Sequence, residues 1–512
     1  MKEGFDAIVI GSGIGGLSAA AVLAHNGLRP LVLEQHFAPG GNAQTFRRHK
    51  QFDFDIGLHY LGDCGPGGVF DQLLRQMGIS GQVEFLPMDQ DGFDTLRLPD
   101  MEFRVPAGWD RYQQRLRDAF PQEARAIDRY IEHLKATAAP FGRERALQET
   151  AVDRLLRKPR NESTLGEVFD ALEISYRLRN VLAAESGTYA APPSRAALGT
   201  HALIMSHYLQ GAYFVRGGSR ALLEAILGAI RAGGGEVRLR SRVRRIIIEG
   251  GKAVGVELAK GEQIRAPLVI SNADAKRTFL EMVGEEYLSA QLRDQVKEYR
   301  MALPLFVIYI AMEVDPSELG IPNTNYLLMP AYNIEEQYAA CYEGRVPDSP
   351  SVCMSIASRK DPESRNLAPE GYTNLQLIAM APAQPDSWGA SESPGSGGRY
   401  RHTAPYVAAR QELERRVIDV TNEMMPGFLR KIVWQECATP LTQERFTGST
   451  GGTSYGLEHT PDQFAGARVA LQSEIPNLWM VGANSIIGHG IAGAMVSGSA
   501  AASTILSMRP PA

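Results

Sequence analysis

Three glycines, Gly11, Gly13 and Gly16, have the spacing of a turn that wraps a pyrophosphate, and Glu34 follows 18 residues beyond the last of them. The first glycine permits a tight turn, the second lets a phosphate approach the backbone, and the third lets a helix pack closely on a strand. A carboxylate at Glu34 accepts hydrogen bonds from both ribose hydroxyls of an adenosine and repels a 2′-phosphate, which disfavours NADP and leaves NAD or FAD. The elements that must hold these residues are legible on either side. Phe5-Asp6-Ala7-Ile8-Val9-Ile10 is a short β-branched run of the kind buried on both faces of a parallel sheet. Leu17 to His25 is an Ala/Leu-rich helix whose N-terminus offers free N–H groups and partial positive charge to a phosphate. Pro30-Leu31-Val32-Leu33 is a second strand that ends at the acid. A glycine triplet alone is a weak signal, but strand, triplet, helix, strand and acid in register predict a bound adenine dinucleotide.

A chain of 512 residues with 44% hydrophobic content has room for two or three domains. Its net charge of −5 gives no basic field for nucleic acid. Cys64, Cys341, Cys353 and Cys437 lie far apart and form no CxxC pair, which argues against a metal cluster or a disulfide framework and fits a reducing, cytoplasmic setting. No run reaches the roughly 18 apolar residues of a membrane-spanning helix, so a soluble protein or one peripheral on a membrane is expected.

Beyond Glu34 come Pro39-Gly40-Gly41-Asn42 and then Phe54-Asp55-Ile56-Gly57-Leu58-His59-Tyr60. Here the chain resembles the flavin amine-oxidase superfamily, and within it the branch that holds bacterial phytoene desaturases, carotenoid isomerases and retinol saturases. The resemblance covers nearly the whole length, most specifically residues 5–60, 213–274 and 445–505. It implies FAD in place of NAD. It also implies that Gly40, Gly41 and Asn42 touch the ribityl and pyrophosphate, that Gly57, Leu58 and His59 lie beside the isoalloxazine, and that Val243 meets the adenine through backbone groups. Gly482 would pass the pyrophosphate. Gly490, Ile491 and Ala492 would point a helix N-terminus at the flavin N1–C2=O edge, where reduced flavin carries negative charge. Ser12, Ile14, Gly15, Gln35 and Asn484 complete the implied cofactor set. Desaturases of the group carry Arg after the glycine pair, whereas this chain has Asn42, which leans toward the isomerase and saturase side.

The fold implied is α/β: a Rossmann-type FAD-binding domain of the p-hydroxybenzoate-hydroxylase-like arrangement with a discontinuous α+β substrate domain. Residues 1–67, 213–289 and 445–512 form the cofactor domain. Residues 68–212, read as helical with amphipathic spacing at Trp109 to Phe120 and Ala124 to Ala138, and residues 290–444 form the substrate domain. The apolar strands Leu303 to Met312 and Asn374 to Met380 suit a tunnel for a greasy ligand. The basic segment Arg154 to Arg160 reads as a solvated face or a site for docking on anionic lipid. Ser387 to Tyr400 reads as a surface loop or lid. His201 and His207 read as partnered structural histidines, and Arg242, Arg244 and Arg245 as a solvated strand edge.

Near the ring the resemblance puts His59, Tyr60, Tyr455 and His489 as polar groups. His59, Tyr455 and His489 are the candidates to move a proton at a carbon next to the hydride site, with cofactor or backbone hydrogen bonding as their alternative role. No metal ligands are expected. With one dinucleotide fingerprint, the electron donor or acceptor (NAD(P)H, a quinone or oxygen) has to visit the active site. Three functions fit these residues. One is an FAD enzyme that saturates, desaturates or isomerises C=C bonds of a long apolar polyene or isoprenoid. The others are a flavin oxidase of an amine or other small polar substrate, and a non-catalytic prenyl-binding escort-type protein.

Overall fold

The computed structural model describes residues 4–139, 163–390 and 399–509. Its organising element is a five-stranded sheet in the order 236–238, 30–33, 7–10, 269–271, 478–480, with every pairing parallel. Ala7–Ile10 sits in the middle, fully buried, with Ile8 opposite Leu31 on one side and Val269 on the other. Parallel neighbours need crossovers, and the first is the helix Ile14–His25. The helix begins three residues before the expected Leu17, because Gly15 and Gly16 already take helical geometry inside its first turn. It is buried from Ile14 to Ala24, with the helix Gly490–Ser507 on one flank and Gly218–Ala232 on the other, which explains why it is apolar all round.

By length and composition Gly490–Ser507 could cross a membrane, against the expectation that no run is long enough. Half of it is buried inside the protein, where it packs on the first helix as a core element. The other face of the sheet carries Ile8, Ile10, Leu31 and Leu33, covered by an antiparallel triplet of strands, 243–249, 252–258 and 263–265. Arg244 and Arg245 stand exposed on the edge of that triplet and pair with Glu257.

A second, mixed sheet runs 432–438, 305–312, 373–380, 352–355, 325–328, 94–97, 102–105. Its interior strand Leu305–Met312 alternates as a strand covered on both faces must. Phe306, Ile308 and Ile310 pack in one core with Leu413 and Val417 of the long helix Ala404–Met424, while Val307, Tyr309 and Ala311 pack with Phe52 and Phe54. The helices Trp109–Ala119 and Ala124–Ala138 form as the spacing predicts, in a third core shared with Leu198–Leu209.

Residues 68–212 depart from the helical reading in two ways. They contribute the strands Asp94–Arg97 and Glu102–Val105 to the mixed sheet. Their first helix, Val69–Gln76, buries Phe70, Leu73 and Leu74 in the same core as Leu17 and Met495, and so belongs with the nucleotide sheet. The basic segment 154–160 and residues 391–398 of the Ser387 to Tyr400 loop lie outside the described residues.

His201 is fully buried between two phenols, with Nε2 2.7 Å from the Tyr130 hydroxyl and Nδ1 3.0 Å from that of Tyr189. His207 Nε2 accepts the Gly62 N–H at 2.9 Å. Both are structural, as read from the sequence. All four cysteines are free.

Candidate functional site

A cavity of about 420 Å³ lies at the carboxyl ends of the parallel strands, lined there by Ile10, Leu33, Asn272 and Gly482. That is where open α/β sheets bind ligands. On one side its wall is Glu34, Gln35, Arg242 and Val243; along the glycine turn it is Gly11, Gly13, Ile14, Gly15, Gly41 and Asn42. On the other side stand Gly57, His59, Tyr455, Asn484, Gly490 and Ile491, with Leu305, Val307 and Tyr309 of the mixed sheet.

Six of the expected residues do not line the cavity. Ser12 is fully buried and spends its hydroxyl on Glu34, and Gly16 sits within the helix, where an added Cβ would stand 2.4 Å from the Gly11 carbonyl oxygen. Gly40 turns toward Leu223 and Gln44, and Leu58 is a core residue. Ala492 falls between Ile491 and Ala494, the residues of the last helix that line the space, and His489 is that helix's N-cap.

Glu34 is the best-anchored group of the site. One carboxylate oxygen accepts the Ser12 N–H at 2.8 Å and its hydroxyl at 2.6 Å, and the other accepts the His36 N–H at 2.7 Å. The acid therefore shapes the glycine turn as well as facing the ligand. Glu34→Ala leaves those buried donors unpaired at about 1–3 kcal/mol, so the FAD dissociation constant should rise roughly ten- to a hundredfold. Titration of the stripped protein followed by flavin fluorescence reads this; an unchanged constant would remove Glu34 from the site.

The three proton-moving candidates separate on geometry. His59 lines the cavity, and burial, followed by the nearby Lys360 charge, drives its pKa down to about 3; it is a neutral hydrogen-bonding group near pH 7. Tyr455 also lines the cavity, donates its O–H to the Gly187 carbonyl at 2.9 Å, and has its pKa pushed up by burial. His489 is the correction. It occupies the N-cap of the last helix with Nε2 2.8 Å from the Thr188 carbonyl, burial lowers its pKa to about 4, and it meets the cavity-lining Tyr455 edge-on, 5.3 Å between ring centres. It holds the helix that lines the cavity and does not face the cavity itself.

Two features escape sequence reading. Asn272 stands where the wall is tightest: a Cβ on Gly13 would approach its side-chain nitrogen to 2.5 Å, and one on Gly482 its side-chain oxygen to 2.4 Å. Further in, behind His59, a buried polar cluster joins residues far apart in the chain. Lys360 is 2% exposed and donates to the His59 carbonyl at 2.7 Å, the Asn325 side-chain oxygen at 2.5 Å and the Ser355 hydroxyl at 2.8 Å. Asn325 in turn donates to Asp94 at 2.8 Å, and the Tyr60 hydroxyl donates to Glu185 at 3.2 Å.

The residues present fit a flavin dinucleotide. The wall is built of Gly13, Gly15 and Gly482, at each of which a Cβ would meet atoms at 3.0 Å or closer. Three polar atoms of lining residues, His36 Nε2, Arg277 Nε and Asn484 Oδ1, are buried with no partner. Both helix N-termini, at Ile14 and Gly490, open on the space and favour anionic groups there.

Comparison with known proteins agrees with this geometry. The sequence profile described as flavin containing amine oxidoreductase matches residues 14–506. All-trans-retinol 13,14-reductase of Rattus norvegicus is 30% identical, over 99% of this chain and 86% of that protein. Chloroplastic prolycopene isomerase of Daucus carota is 26% identical, over 96% and 78% respectively. Among solved structures, an oxidoreductase from Methanosarcina mazei superposes with a TM-score of 0.67 at 17% identity, covering 98% of this chain and 99% of the other.

Proposed function

This chain belongs to the flavin-containing amine oxidoreductase family and is an FAD-dependent enzyme, and from that premise we propose that it saturates, desaturates or isomerises C=C bonds of a long apolar polyene of the retinoid or carotenoid kind. The observation that carries this reading is the near full-length match to a retinol reductase and a prolycopene isomerase, two relatives whose named substrates are both polyenes. Bound FAD supplies the redox chemistry, hydride exchange at its N5. The protein supplies placement: Glu34 for the ribose, the Ile14 helix end for the pyrophosphate, and the Gly490 helix end for the ring edge.

The interior beyond His59 suits an apolar chain. Tyr455 lines the cavity, and Tyr60 and Tyr208, only partly buried, pack with it against one apolar core. That core is made of residues such as Leu303, Met329 and Met205. Each CH₂ buried there contributes about 0.8 kcal/mol to binding.

The test is anaerobic. Enzyme whose flavin has been chemically reduced is mixed with all-trans-retinol or a carotenoid, and oxidised enzyme with a set of amines. Reoxidation of the flavin by the polyene, or a change in polyene isomer composition, is the expected result; bleaching by amines with no response to any polyene would overturn the proposal.

A further inference from the structure

Saturating a C=C bond takes a hydride to one carbon and a proton to the other, and redox-neutral isomerisation through a protonated intermediate also needs a proton source inside the cavity. Neither histidine near the site fits that task, since His59 is held neutral well below its usual range and His489, bonded to the Thr188 carbonyl, does not line the cavity. The cluster behind His59 does fit it.

Asp94 and Glu185 come from a strand of the mixed sheet and from the turn 184–188, and their carboxyl groups lie within hydrogen-bonding reach of each other, 0% and 5% exposed. One oxygen of each, Asp94 Oδ2 and Glu185 Oε1, is buried with no donor. Carboxylate oxygens are acceptors only, so two carboxyl groups in contact with no donor between them require a proton on one of them. The pair then carries one negative charge, and the buried Lys360 ammonium, linked to Asp94 through Asn325, balances it. Tyr60 connects this store to the substrate space. Its hydroxyl is 3.2 Å from Glu185, its ring stacks on Tyr208 at 4.3 Å, the side chain is only partly buried, and its chain neighbour His59 lines the cavity.

We propose, resting on the polyene reading, that Tyr60 is the proton donor to the substrate and that the Asp94–Glu185 pair is the store that refills it. In saturation the π bond breaks. One C–H bond would form with a hydride, carrying its own electron pair, from reduced flavin, and the other forms from the π electron pair and the Tyr60 hydroxyl proton, whose O–H bonding electrons stay on the phenol oxygen. That oxygen takes the proton shared by the carboxyl pair, and the pair regains one from water through the emptied cavity. Transfer and refilling are concerted, because burial and the neighbouring Asp94 and Glu185 make a free tyrosinate at Tyr60 strongly unfavourable.

Three variants that keep shape, Tyr60→Phe, Glu185→Gln and Asp94→Asn, test this with two readouts. Infrared spectra of substrate-free holoprotein at neutral pH should show a protonated carboxyl C=O band that vanishes in both carboxyl variants. With reduced flavin and all-trans-retinol, Tyr60→Phe should lose about 10²- to 10⁴-fold in rate, the range for a general acid, together with the solvent deuterium isotope effect, while its flavin spectrum and loading stay those of the wild type. A missing band overturns the store, and a Tyr60→Phe enzyme with wild-type rate and isotope effect overturns the donor. A wild type that converts no polyene overturns the substrate reading instead, and the infrared band alone then decides the store.

Discussion

Protein carrying Gly498→Val should purify colourless and melt well below the wild type. An added Cβ at Gly498 would lie 2.0 Å from the Gly15 carbonyl oxygen and 3.0 Å from the Ala19 nitrogen, both backbone atoms of the first helix. Neither can swing aside, so the first and last helices must separate. Overpacking of this kind costs about 1–3 kcal/mol for a methyl and more for a branched side chain. Gly15 on one helix, and Gly490, Ile491 and Ala494 on the other, line the cofactor cavity, so the separation widens the slot at both ends of the dinucleotide. FAD affinity should fall at least about tenfold, the equivalent of 1.4 kcal/mol, read by flavin content and fluorescence titration. A control fixes the cause: Gly228 lies mid-helix with nothing within 4 Å of an added Cβ, and there Gly228→Ala should stabilise by roughly 0.5–1 kcal/mol. Yellow Gly498→Val protein of unchanged melting temperature would refute the close packing of the two helices.

The second large effect is acid lability. Burial depresses the pKa of five imidazoles: His59 and His201 to about 3, His207 and His489 to about 4, and His459 further below its usual value. The geometry supports the direction. His207 Nε2 accepts an N–H, the His459 Nδ1 faces the Arg468 guanidinium at 3.1 Å, and the His459 and His489 ring centres are 4.0 Å apart, so charging them breaks a hydrogen bond or crowds cations. With folded pKa values below the unfolded value of about 6.5, the unfolded chain takes up these protons first, and stability falls as pH drops through 6.5.

Two opposing uptakes belong to the native state. Burial raises Asp55 to about 6, so the folded form binds that proton earlier than the unfolded one, and the Asp94–Glu185 pair already holds one. Five protons against two leave about three, so the loss approaches about 4 kcal/mol per pH unit only below about pH 5.5, where the unfolded imidazoles are charged, at roughly 1.4 kcal/mol per proton. A total stability of about 5–15 kcal/mol is exhausted within a few units. Urea titrations of the holoprotein between about pH 6.5 and about pH 4.5 should show the midpoint falling progressively more steeply. A flat profile would mean that the imidazoles are hydrated or already charged.

Local features were legible and tertiary ones were not. The run from Ala7 to Glu34 declares itself because strand, turn and helix are written in consecutive residues, and Trp109–Ala119 because its apolar positions repeat at the helical period. Asp94-Thr95-Leu96-Arg97 reads as a polar surface stretch, yet it is a strand with Asp94 and Thr95 buried. Its acid is tolerated inside only because Asn325, Glu185 and Lys360 arrive from elsewhere. Lys360 likewise sits in Ser358-Arg359-Lys360-Asp361, the composition of a solvated turn, and no period marks it as buried. The role of Asn272 depends on its side chain standing between Gly13 and Gly482, a relation that spacing does not encode. His489 neighbours Gly490 and Ile491 in sequence, yet its ring is held by the Thr188 carbonyl and does not line the space that they line.

The parallel sheet has a consequence for how the chain matures in the cell. Leu478–Met480 closes one edge, yet it is translated about 470 residues after Ala7–Ile10, which lies only one strand away. At roughly 5–20 residues per second, the N-terminal segment waits about 25–95 s on the ribosome for the helix that will cover it. During that interval a helix of Ala, Leu, Val and Ile has lost the shelter of its final neighbour and has no pyrophosphate to bind. Chaperone occupancy and flavin supply during synthesis, more than the equilibrium stability of the finished enzyme, should therefore set the yield of active protein.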